Sequence, residues 1–469
     1  MTHDLVLKGG LVVTPSGELL GGVAIDGERI TSVGADEVLG DGRRVVDLQG
    51  KVLLPGLIDP HVHFGIGDED NDDTMREDFR HNSRDCLVGG VTTICNTTLI
   101  EDSPLDELFH RALKCAGGNS HVDYKINTVV TRRNQIEKIP GIIAEGGTAF
   151  KFYTGYVGEQ AASFGMDPDG IPPDFFMQAC EVIKANSRHA FASIHAEEPT
   201  SRGVLIDRMR ELDPVGSLVH WSETSPDWAE SLQVHGYGLI AHHIKVTMYP
   251  VHVSSRFTVE TIRAMKAQGM SIMGETLAAF LCGTADEFDA AGMGAKAKVQ
   301  PPIRRDADRE ALWAGISDGT ISFVGTDTLT YSSRYKGGTD FWECRVGLNL
   351  QVADTLPLLW NEGVAKGRIT PSVLAKATSE NVARQYGMYP RKGVIAPGSD
   401  ADLVVLDPDE DMVLGVHRYR GKSDYSLWEG KQVRGVPTMT IFRGQVAVEN
   451  GEIVAEQPRG EHLVRPLPG

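Results

Sequence analysis

Apolar and polar positions alternate in two different ways along this chain, and the changes mark its organisation. The first fifty residues form short apolar runs broken by turn residues. Leu5 to Val13 carries a break at Gly9-Gly10, Gly21 to Ile30 carries a turn at Asp26-Gly27, and Val45 to Leu54 follows. Short runs with Gly and Asp-Gly punctuation predict strands, here an antiparallel β unit. The far end repeats the pattern: Ala401 to Leu406, Thr438 to Phe442 before Arg443-Gly444, and Gln445 to Val448 before Asn450-Gly451. The stretch from Glu456 to Gly469 is polar and proline-bearing and is expected to be an irregular tail.

Between these ends, short apolar runs alternate with longer amphipathic stretches. Runs include Thr92 to Cys95, Ala149 to Tyr153, Ala190 to His195, Tyr249 to Val253 and Ile321 to Gly325. Pro173 to Lys184 and Thr258 to Lys266 have helical periodicity. Repeated strand–helix units predict a parallel sheet with crossover helices, and their span suits a (β/α)8 TIM barrel. The expected fold is therefore α/β: a barrel over residues 57–389, and a small β-sandwich built by residues 1–56 and 390–469 together.

Composition narrows the function classes. The chain has 469 residues, 41% of them hydrophobic and 23% charged, as in ordinary globular proteins. Its net charge of −18 opposes binding to phosphate backbones and anionic membranes. No apolar run is long enough to span a bilayer, and the first residues lack a basic flank followed by an apolar stretch. Six dispersed cysteines without a CxxC pair predict buried thiols in a reducing compartment, the cytoplasm.

The chemistry is signalled by polar residues in apolar surroundings. Pro60-His61-Val62-His63 follows the run Val52 to Ile58. On a strand, His61 and His63 share a face and can grip one metal ion. Lys151 lies inside an apolar run, where an unpartnered ammonium is costly. His195, His252 and Asp327 each stand at or near the end of a predicted strand. The carboxyl ends of barrel strands converge on one face, so these residues are expected to form one site. Imidazole and carboxylate ligands suit zinc or a similar first-row ion.

This set resembles the amidohydrolase superfamily, and within it the dihydropyrimidinase and hydantoinase branch. The similarity extends through Gly89 to Ile94, Phe150 to Tyr156, His252-Val-Ser-Ser, Gly274-Glu-Thr, Gln300-Pro-Pro-Ile-Arg, Pro390 to Asp402 and Glu429 to Pro437. The resemblance implies two divalent ions and a Lys151 carboxylated by CO2 (N6-carboxylysine) that bridges them. By position, His61, His63 and Asp327 would hold one ion and His195 and His252 the other. A shared hydroxide would attack the carbonyl of a cyclic amide or imide, with Asp327 shuttling the proton and Tyr156 donating to the oxyanion. Gln300 stands where the branch binds substrate through a serine backbone. Partners implied are a small-molecule substrate and further copies of the chain, as a homotetramer or homodimer.

Other departures concern the pocket. Glu343 to Gly347 lacks the asparagine usual in that stretch, Thr328 replaces a common histidine after Asp327, and the loop from Phe64 to Asp73 is strongly acidic. The expected substrate is accordingly not plain hydantoin or dihydrouracil. Competing readings are a hydrolase of linear amides or carbamates, a non-catalytic interaction protein, and a one-metal deaminase. Retention of all six ligands opposes the non-catalytic protein, and Lys151 opposes the deaminase.

Overall fold

A computed structural model describes residues 2–464, apart from 68, 337–339, 350–351 and 456. Six strands lie side by side in chain order, every pair parallel: β1 (Leu57–Gly67), β2 (Val91–Thr97), β3 (Asp123–Val129), β4 (Ala149–Tyr153), β5 (Phe191–His195) and β6 (Met248–Pro250). A second parallel pair, β7 (Gly274–Leu277) and β8 (Ile321–Gly325), continues the ring. Met248 bridges to Ile272 just before β7, and Thr328–Thr330, just beyond β8, pairs back onto β1. The barrel is thereby closed. Strands β2 to β5 are buried along their whole length, as expected where helices cover a parallel sheet.

The helices are amphipathic for the same reason. Helix Pro173–Asn186 starts on a proline suited to a first turn and buries Phe175, Phe176, Ala179, Cys180 and Ile183. That spacing makes one apolar stripe against the barrel. Truncating Phe176 to alanine would cost about 3–5 kcal/mol. Helix Asp72–Val88 is capped by Asn71, whose side chain accepts from the Thr74 amide. All six cysteines are buried and free. No helix among the described residues is long and apolar enough to cross a membrane.

Both chain ends enter one nine-stranded sheet. Val52–Pro55 joins it to Leu403–Val413, and Gly56 separates Val52–Pro55 from β1. One apolar run therefore serves two layers. Leu5, Val23, Leu53, Leu403 and Ile441 share the core beneath the sheet.

Two local expectations are corrected. Thr2–Thr14 is one strand; the glycine pair makes a bulge between Leu7 and Gly10, with Gly9 at φ +72°, rather than a break. The N-terminal unit is also mixed: Thr2–Thr14 pairs in parallel with Asp41–Asp47 and Val52–Pro55, because a short helix at Asp36–Val38 carries the chain across. The tail is ordered as far as it is described. The Tyr124 amide donates to Glu461 O, the Leu463 amide donates to Tyr124 O, and Leu463 is buried. The backbone thus extends β3 at the amino end of the barrel. Glu456 and 465–469 lie outside the described residues.

A buried cation ties the two parts of the molecule. Lys392 Nζ lies 2.5 Å from Asp123 on β3, 2.8 Å from Asp400 and 2.6 Å from Asp402. These three acids could hold a metal ion, but the ammonium already stands among them. Lys392→Met would leave the carboxylates without it. The expected loss of unfolding free energy is about 3–5 kcal/mol, measured by urea denaturation. A loss under about 1 kcal/mol would show that the cluster is not a tether.

Candidate metal centre

The barrel's carboxyl face gathers the polar residues that the sequence scattered. His61 and His63 project from one face of β1, with their Nε2 atoms 3.0 Å apart. Asp327 Oδ1 lies 3.2 Å from His61 Nε2 and 3.0 Å from His63 Nε2. Lys151, the middle residue of β4, places Nζ 2.6 Å from His61 Nε2. His195 ends β5, and its Nδ1 is 3.0 Å from His252 Nε2. The rings of His61 and His252 are 5.7 Å apart between centroids, which joins the two groups. All six residues are buried.

Local backbone makes this convergence possible. His252 (φ +40°) and Asp327 (φ +52°) both adopt left-handed backbone just past their strands. Such angles are uncommon outside glycine, and His and Asp are among the residues that tolerate them. The Asp327 amide donates to His61 O at 2.9 Å, which fixes the turn against β1.

Buried carboxylates that sequence reasoning passed over surround the imidazoles. Glu275 Oε1 on β7 lies 3.3 Å from His61 Nδ1. Its other oxygen accepts from the Tyr249 hydroxyl. Glu197 accepts at 2.8 Å from His195 Nε2 and also takes the Ser225 hydroxyl. Asp59 accepts from the His61 amide and from Thr326 Oγ1, bracing β1 against the approach to Asp327. Carboxylates behind imidazoles orient the ring and leave the opposite nitrogen free as a ligand. The signals were present: Asp59 alternates with His61 and His63, and Glu197 follows His195 by two residues.

The electrostatics suit a cation. Burial, then the Lys151 charge, lowers His61 to about 3; burial lowers His63 to about 4 and His252 well below its usual value. These imidazoles are therefore neutral, with lone pairs available. Burial also lowers Lys151 to about 8. Burial alone would raise the Asp327 carboxyl, but His61 and then His63 hold it well below the usual range. Two neutral imidazole nitrogens at 3.0 Å beside a carboxylate oxygen form a poor hydrogen-bond network and a good ligand set. His61, His63 and Asp327 meet the distance requirements of a single-ion site.

The centre opens into a cavity of about 670 Å³. Tyr156 and Gln300 both line it. The Tyr156 ring lies 5.1 Å from the His195 ring between centroids, and burial pushes its phenol well up, so the hydroxyl stays protonated. Both amide atoms of Gln300 are buried without a protein partner among the described residues.

Comparison with known proteins places this geometry. The model of the amidohydrolase family matches residues 52–447. A D-hydantoinase from Geobacillus stearothermophilus is 27% identical over 470 residues, covering 98% of this chain and 96% of that protein. An L-hydantoinase from Paenarthrobacter aurescens is 27% identical over 468 residues and covers 98% of both. The crystal structure of dihydropyrimidinase from Brevibacillus agri NCHU1002 is similar, with a TM-score of 0.87 at 27% identity over 98% of each chain. By this match and by its closed barrel, the chain belongs to the amidohydrolase family, in the hydantoinase branch.

Proposed function

We propose that the protein is a two-metal hydrolase that opens a substituted cyclic amide or imide of the hydantoin or dihydropyrimidine kind. The observation that carries this reading is the convergence of His61, His63, Lys151, His195, His252 and Asp327, the last five of which line one cavity. His61, His63 and Asp327 would hold one ion, and His195 and His252 the other. Divalent ions, zinc or a similar metal, would acidify water and polarise the scissile carbonyl.

Lys151 is placed to carry an anion between the ions. Its amine, lowered to about 8, is in part deprotonated near neutral pH and can add to CO2. The neutral amine's lone pair forms an N–C bond as one C=O π pair of CO2 moves onto oxygen, and one proton is released. Counted from the ammonium, two protons leave and the buried cation becomes a carbamate anion. That exchange removes an ammonium from among the imidazoles and supplies negative charge where two dications would repel. Asp327 would accept the proton of the attacking water and pass it to the leaving ring nitrogen. The Tyr156 hydroxyl stays protonated in the cavity wall and can donate to the developing oxyanion. Gln300 supplies an unpaired donor and an unpaired acceptor, which complement the N–H and C=O of a cyclic amide. This side-chain contact takes over where the branch uses a backbone.

The relatives named as hydantoinases and a dihydropyrimidinase favour a ring over a linear amide. We extend the reading to a homotetrameric or homodimeric cytoplasmic enzyme.

Lys151→Ala is expected to lose bound metal, measured by elemental analysis, together with turnover. Asp327→Asn should lower kcat by about 10²–10⁴-fold on a 5-substituted hydantoin. Full metal content with wild-type turnover in both variants would refute the assignment. Unsubstituted hydantoin and dihydrouracil are expected to turn over weakly beside substituted rings in a colorimetric assay of ring opening. Efficient turnover of either bare ring would contradict the altered pocket.

A further inference from the structure

The cavity is large for the ring alone. At about 670 Å³ it falls in the range of sites that enclose drug-sized ligands. Ile100, Phe164 and Met166 give it an apolar wall away from the metal ligands. Its charged lining outside the metal centre consists of Asp70, Glu101, Asp102 and Arg345.

These charges are unequally engaged. Both Glu101 oxygens accept from Arg111 at 2.8 Å, and Asp102 lies 3.0 Å from Arg132. Asp70 accepts from the Gly67 amide, and burial raises its carboxyl. Arg345 makes no ion pair of 4.0 Å or less with a described residue, although Asp70 stands within electrostatic reach. Its guanidinium lies 4.3 Å from the centroid of Tyr335 and 5.6 Å from that of Tyr331. The guanidinium also hydrogen-bonds the Tyr331 side chain. Cation–π attraction and that bond restrain the group, and its remaining N–H groups are left for a planar anion.

The backbone carrying Arg345 is restrained as well. Lys336 Nζ donates to Arg345 O at 2.8 Å. Lys298 Nζ donates to the carbonyls of Phe341, Trp342 and Cys344 at 2.8, 3.0 and 2.9 Å. The Leu329 amide donates to Leu348 O at 2.8 Å, which registers the segment to the strand leaving Asp327. The backbone of Arg345 is thus held at a set position relative to the metal centre, while its side chain stays exposed. Arg345 precedes Val346, in the stretch where the branch's usual asparagine is missing.

We propose that Arg345 anchors a carboxylate at the far end of the substituent carried by the cyclic substrate, and so selects anionic over neutral substrates. The substituent would run along the apolar wall between the ring and the guanidinium. This rests on the cyclic-amide reading above.

The test compares 5-(2-carboxyethyl)hydantoin with its neutral carboxamide on the metal-loaded enzyme. A charge-assisted pair in place of a neutral one should favour the carboxylate in kcat/KM by about tenfold or more. In Arg345→Gln that ratio should fall towards one, chiefly through KM, and Arg345→Lys should keep part of it. No preference in the wild type, or a ratio unaltered in Arg345→Gln, would overturn the proposal. Calorimetric binding of the same two compounds separates this proposal from the one beneath it. Arg345-dependent binding of the carboxylate without hydrolysis would uphold the anchor and refute ring opening. Ring opening with binding indifferent to Arg345 would do the reverse.

Discussion

Four imidazoles, one lysine amine and one carboxylate share a small buried volume at the mouth of the barrel, and their charges have to balance there. Desolvation keeps three of the imidazoles neutral and weakens the hold of Lys151 on its proton. On their inward side His61 and His63 both meet the Asp327 carboxylate, at 3.2 and 3.0 Å. Such a set is costly without a cation to complete it and becomes favourable with one. The surrounding structure serves that balance. Glu275 and Glu197 stand behind the rings of His61 and His195, Asp59 braces the His61 backbone, and left-handed turns at His252 and Asp327 bring two loops to the strands that carry the rest.

The ring of strands explains why residues so far apart in the chain meet. Each crossover returns the chain to the same end of the barrel, so a polar residue closing one strand lies beside its counterpart on the next. Closure depends on the stretch after β8 pairing with β1, and Asp327 lies between the two. The sheet that unites the chain ends supplies none of these six residues and packs its apolar face into the barrel's core. It is joined to the barrel through Gly56 and through the ammonium of Lys392, which meets an acid of β3 at 2.5 Å.

Much of this was legible beforehand because the governing signals are local. The period-two placement of His61 and His63, and Lys151 inside an apolar run, each show in a few residues. The bulge at Gly9-Gly10 was not distinguishable from a break, since both need the same glycine freedom. The parallel pairing of Thr2–Thr14 depends on where a short crossover leads the chain, which no periodicity records. The tail's docking was hidden because its bonds to β3 are made by backbone, and composition is silent about those. Glu275 and Glu197 look like ordinary charged residues until the fold buries them behind a histidine. The carbamate on Lys151, the identity of the metal and the number of subunits belong to our proposal rather than to the geometry.

The central claim is that two cations occupy this centre with an anion on Lys151 between them. Anomalous diffraction at the absorption edge of the bound metal tests it most directly. The account predicts two peaks, one enclosed by His61, His63 and Asp327 and one by His195 and His252, with branched density extending from Lys151 Nζ. A single peak with an unmodified lysine, or metal found among Asp123, Asp400 and Asp402 instead, would contradict it.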